Sequence, residues 1–196
     1  MDLRRTLLLF SFIFTGSLAI AQPKDRWTIQ DGGAIRWSIN DNIPHDDHLE
    51  MSGQQLSVVL RYGVDAQKRF HLNRSLVFPM LRMHPNKTQN NLKQRFDVNI
   101  PALVTVDDQT LLNEEVRDVT FNGIMRVESS FGYIYRRKEL KDAVQLTRVL
   151  YPSTNAAHYC EEYTFKNSSP NQITLRVPEW NVTYTTPEEA GVYGAY

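Results

Sequence analysis

Residues 143–166 read AVQLTRVLYPSTNAAHYCEEYTFK, and this stretch decides the fold. Val144, Leu146, Arg148 and Leu150 alternate with Gln145, Thr147 and Val149. Further on, Tyr159, Glu161, Tyr163 and Phe165 alternate with Cys160, Glu162, Thr164 and Lys166. Successive strand residues point to opposite faces, so a period of two marks a strand covered on one side. Working outward, Asn167-Ser168-Ser169-Pro170-Asn171 is a turn, after which Ile173, Leu175 and Val177 alternate with Thr174 and Arg176. Upstream, Phe70, Leu72 and Arg74 alternate with His71, Asn73 and Ser75, and Leu56, Val58 and Leu60 share a face. Val59 breaks that last alternation and points to a strand covered on both sides. WTIQDGGAIRW at 27–37 places Asp31-Gly32-Gly33 between apolar flanks, a hairpin-type turn or bulge.

Other short β-rich pieces fall at 110–116, 119–127 and 129–136. Phe96, Val98 and Ile100 share a face that ends at Pro101, and 83–91 is a polar loop. The best helix candidate, 137–146, is short and charged. About a dozen strands with turns every 8 to 12 residues predict an all-β fold, an antiparallel β-sandwich of supersandwich-like type. The run at 192–196 starts a further strand, so the chain reads as a β-sandwich truncated at its C-terminal end, a piece of a larger enzyme.

The N-terminus reads differently. Arg4 and Arg5 precede an apolar run, and Ala19-Ile20-Ala21 is a small-x-small cleavage site, the layout of a secretory signal peptide over 1–21. The stretch from Thr6 falls short of the roughly 20 residues that span a bilayer. Residues 22–196 are then one exported domain, periplasmic or extracellular, with no membrane span. The chain has 22 Lys+Arg against 22 Asp+Glu, a formal net charge of zero. That balance gives no electrostatic case for nucleic acid, which calls for a basic face. The lone Cys160 precludes an internal disulfide or a cysteine zinc site and reads as a small buried hydrophobe.

The densest polar cluster is Pro44-His45-Asp46-Asp47-His48-Leu49-Glu50. In an extended chain Asp46, His48 and Glu50 point to one side, His45 and Asp47 to the other. Imidazole and carboxylate suit a metal, but a polar loop leading into the strand near Gln55 is the favoured reading. Such groups also suit sugar hydroxyls, because they donate and accept hydrogen bonds. The adjacent acidic pairs Asp107-Asp108, Glu114-Glu115, Glu161-Glu162 and Glu188-Glu189 cannot act as dyads on a strand, where neighbours face opposite sides, and are assigned to solvated surface. Three Trp, nine Tyr and nine Phe favour core filling between two sheets over a sugar-stacking platform. No nucleophile elbow, phosphate-binding loop, dinucleotide fingerprint or HExxH motif occurs, so no cofactor and no metal is expected.

WTIQDGGAIRW (27–37), HDDHLEMSG (45–53) and LNRSLVFPMLR (72–82) together resemble the start of secreted bacterial six-hairpin, (α/α)6-barrel glycoside hydrolases, close to α-L-rhamnosidase-like and glycogen-debranching-like proteins. The resemblance implies a non-catalytic N-terminal β-sandwich in a hydrolase of O-glycosyl bonds, with an oligosaccharide or polysaccharide as partner. It implies packing on the enzyme's own C-terminal (α/α)6 catalytic domain. The helical barrel that carries the catalytic carboxylates in that family is not in this sequence, so no catalytic residue is carried over. The implied contribution to the sugar site is the 45–50 segment, with His45, Asp47, His48 and Glu50 as substrate-binding residues. Two alternatives stay open: a free-standing exported carbohydrate- or protein-binding sandwich, and a small metal-dependent hydrolase built on those four side chains.

Overall fold

The computed structural model describes residues 26–39, 44–67, 69–78 and 93–183. The expected leader at 1–21, the polar loop at 83–91 and the strand-like run at 192–196 lie outside them.

The regular secondary structure of the described residues is nearly all β. A six-stranded antiparallel sheet has the order β1-β2-β9-β10-β11-β12: β1 (Trp27–Ile29), β2 (Ile35–Ser38), β9 (Leu112–Phe121), β10 (Met125–Tyr135), β11 (Lys138–Pro152) and β12 (Tyr159–Asn167). A four-stranded sheet has the order β3-β4-β5-β6: β3 (His45–Ser52), β4 (Ser57–Val64), β5 (Phe70–Val77) and β6 (Lys93–Phe96). A small sheet pairs β13 (Leu175–Arg176) with β7 (Thr105–Val106) and β7 with β8 (Gln109–Thr110). The sheets are not closed into a barrel, and the all-β antiparallel sandwich expected from the alternation is the observed architecture.

The alternation of 143–166 places its residues as expected. Val144, Leu146, Arg148 and Leu150 are all buried, and β11 pairs β12 in unbroken register from Val144↔Asn167 to Pro152↔Tyr159. At 27–37 the turn is a hairpin: Ile29 pairs Ile35, and Gly32 and Gly33 adopt φ of 87° and 81°, where a side chain would be strained.

Three expectations need correction. The segment at 45–52 is a full strand, β3, rather than a polar loop, because alternate residues His45, Asp47, Leu49 and Met51 turn inward and give it a covered face. The three pieces at 110–136 are two long strands joined at Asn122-Gly123-Ile124. The pairs Glu128↔Asp118 and Ser129↔Val116 leave Arg117 as an extra residue, and that bulge shifts the phase so that Val116 and Val119 both point inward. The short, charged stretch at 137–146 forms no helix, in keeping with the all-β reading: it leads into and forms the first part of β11, where a second irregularity carries Asp142 at φ 53° and masks the strand period. Finally, β6 stops at Phe96, and Pro101 opens a single 3-10 turn at Ile100–Leu103.

Two core clusters lie on the inner face of the six-stranded sheet. One fills the space beneath the four-stranded sheet, with Trp37, Val119, Val127 and Leu150 against Met51, Val58, Leu60 and Tyr62. The other lies beneath the small sheet, with Phe131, Tyr133, Val144 and Leu146 against Val106 and Leu175. Each fully buried Val, Leu or Phe contributes roughly 1.5–3 kcal/mol by leaving water.

Candidate functional site on the outer face of the four-stranded sheet

The pairing of β3, β4 and β5 sets three rows of side chains on the face turned away from the core. Asp46, Gly63 and His71 form the first row, His48, Arg61 and Asn73 the second, and Glu50, Val59 and Ser75 the third. Neighbouring strands lie about 4.8 Å apart, so side chains in one row are within reach of one another and of a common ligand. Asp46, His48, Glu50, Arg61, His71 and Asn73 all face solvent. All of them but Glu50 border a groove of about 460 Å³.

Gly63 shapes the groove. A Cβ there would press on the carbonyl oxygen of His45 and lie 2.5 Å from Asp46 Oδ1 and 2.6 Å from His71 Cε1. Without it, the Asp46 carboxylate reaches across β4 and pairs with His71 Nε2 at 2.6 Å.

Of the four residues singled out in the sequence, His48 and Glu50 stand on this face, and Asp47, from the inward row, still borders the groove. His45 points the other way, toward the core. His45 meets the Trp37 ring edge-on at 4.9 Å, contacts the Arg26 guanidinium, and lies 3.5 Å from Asp47 Oδ2. Asp47 Oδ1 accepts a hydrogen bond from the His48 backbone N–H at 2.8 Å. Burial first, and the Asp47 charge second, hold the Tyr62 phenol well above its ordinary range. Strand alternation divides His45 and Asp47 from His48 and Glu50, as an extended chain requires, and of the four only Asp47 and His48 line the groove. Among the described residues, no group of three or more His, Cys, Asp or Glu side chains is placed to hold a metal.

A second set of charges lies between the sheets. Arg74, 2% exposed, points inward from β5 and grips Glu161 of β12 with both Nε and Nη2, the latter at 2.9 Å. Its Nη1 donates to the Val98 carbonyl at 3.1 Å, and its plane covers the Phe96 ring at 5.2 Å. Burial alone would push the guanidinium down, but the hydrogen bonds and charge of Glu161 hold it above its ordinary value. Tyr163 donates to Glu161, and its phenol is pushed up, first by burial and then by that carboxylate. Close by, the buried Arg148 pairs with Glu114 and lies over the Phe70 ring at 5.2 Å. A cavity of about 170 Å³ opens beside Asp97, Asn99 and Glu114.

These two pairs overturn the assignment of Glu114 and Glu161 to solvated surface: their side chains are 12% and 10% exposed. The signal was present in the sequence. Arg74, Arg148 and Glu161 each occupy an inward step of an apolar alternation, and a charge there is stable only with a partner. Cys160, expected to be buried, is half-buried and free, opposite Tyr151. Trp37 fills the core as expected, whereas Trp180 is 41% exposed and meets the Phe96 ring at a tilt, with centroids 5.3 Å apart. No protein-family model matches the chain, and no curated protein and no solved structure matches it.

Proposed function

We propose that the chain is the non-catalytic β-sandwich module of an exported glycoside hydrolase, and that it holds glycan on the outer face of the four-stranded sheet. One observation carries this reading: His48, Arg61 and Asn73 stand side by side on three adjacent strands, all exposed, along an open groove. Imidazole, guanidinium and carboxamide together donate and accept hydrogen bonds in fixed positions, as a sugar's hydroxyls require. Rigid strands hold such groups more precisely than a loop does. The role keeps the expectation drawn from the resemblance but moves it from a loop to a sheet face, and from His45 and Asp47 to Arg61 and Asn73. Glu50 and His48 remain in it.

Isothermal titration of the purified protein against a panel of neutral and acidic oligosaccharides tests the proposal. Binding is expected for at least one member, with affinity lost in the double variant His48→Ala/Asn73→Ala. Silence across the whole panel would overturn the proposal.

A further inference from the structure

Arg61 stands near the centre of the groove, on β4, which is flanked by β3 and β5. It is permanently charged. The nearby carboxylates are otherwise engaged or displaced. Asp46 is held by His71 at 2.6 Å, and Asp47, which also lines the groove, is engaged by the His48 backbone N–H at 2.8 Å and lies 3.5 Å from His45 Nε2. Glu50 stands across from Val59, one row away, and forms no ion pair with Arg61 among the described residues. Arg61 thus presents its guanidinium fork to solvent without a carboxylate partner in the described structure, between His48 and Asn73.

We propose that the groove recognises an acidic oligosaccharide, with Arg61 taking the carboxylate of a uronic acid residue in a two-pronged hydrogen bond and His48 and Asn73 taking neighbouring hydroxyls. The inference rests on the glycan-binding reading above and specifies its ligand. A guanidinium matches a planar carboxylate in both geometry and charge. The polar neighbours that flank Arg61 suit the hydroxyl-rich surroundings that a sugar carboxylate brings with it.

The test is calorimetric titration with tetramers of glucuronate, galacturonate and mannuronate and with their carboxyl-reduced neutral counterparts, at low and at raised salt. At least one oligouronate is expected to bind about tenfold more tightly than its neutral counterpart, with the preference shrinking as salt rises. Arg61→Gln should erase the preference, so that the acidic and neutral forms bind the variant with equal affinity. Equal affinity for acidic and neutral forms would overturn this inference and leave the glycan-binding reading standing. Binding of neither set would overturn both. Tetraglutamate bound as tightly as the oligouronates, with the same dependence on Arg61, would overturn the assignment to a sugar.

Discussion

Arg61 and Arg74 occupy neighbouring strands of one sheet and differ in everything but chemistry. Arg61 points outward, exposed, between His48 and Asn73. Arg74 points inward, 2% exposed, and is tied to Glu161, Val98 and Phe96. The strand period alone separates them, since a side chain's step along the strand decides which face it joins. Once buried, a guanidinium holds its partner in place and its loss is costly; once exposed, it contributes little to stability and is free for a ligand. Polar groups on the two faces of β3–β5 therefore differ: those inside are structural, and those outside carry the recognition proposed above.

The sharpest way to break this contrast is to remove the inner charge. Arg74→Ala should cost about 3–5 kcal/mol in urea denaturation, because Glu161 is left buried without its partner. Replacing both residues, as Arg74→Met/Glu161→Gln, should cost less than the single change. A double variant as unstable as the single one would show that packing, and not the stranded charge, sets the loss. Gly63→Ala ranks next. Its Cβ would press on the His45 backbone and displace the Asp46–His71 pair, so a loss of about 1–3 kcal/mol is expected. A neutral Gly63→Ala would mean that β3 moves aside freely and that the groove is not fixed by this contact.

How the sequence conveyed these features follows from the same period. The alternations at 143–150 and 159–166 were legible because unbroken pairing keeps the phase constant. The pieces at 110–136 were not, because the bulge at Arg117 resets the phase midway, and a one-dimensional pattern cannot show which residue is the extra one. The outer face was half legible. His48 and Glu50 stood out as part of a dense polar run, while Arg61, His71 and Asn73 lay among apolar residues of two other strands. Only the registers Arg61↔His48 and Arg61↔Asn73 bring them together. Gly63 carried no local signal, since its role depends on two side chains from other strands. The buried ion pairs were written as charges at inward steps, yet which Arg meets which Glu is decided by how the sheets stack.

Smaller effects sharpen the contrast from the other side. Asp46→Asn removes an ion pair whose partners are largely exposed, and should change stability by no more than about 1 kcal/mol. A larger loss would make the outer pair structural too. The smallest effect expected is an acid-limb change at Asp142. The Ser130 hydroxyl at 2.5 Å, and then Arg117 at 2.9 Å, hold its carboxyl below the ordinary range. That contribution is present above the carboxyl's unfolded pKa and is lost as pH falls through the folded value. Asp142→Asn should therefore leave a slightly shallower stability loss on acidification than the parent; an identical acid limb would show the pair to be inert.

The central claim is that recognition belongs to the outer face and stability to the inner charges. Backbone amide chemical shifts of the labelled protein, followed by NMR during titration with an oligosaccharide that binds it, test this most directly. The account predicts shifts concentrated at His48, Arg61, His71 and Asn73, with the amides of Glu114, Arg148 and Glu161 undisturbed. Shifts concentrated instead around Asp97, Asn99, Glu114 and Arg148, at the cavity beside the buried pairs, would contradict it.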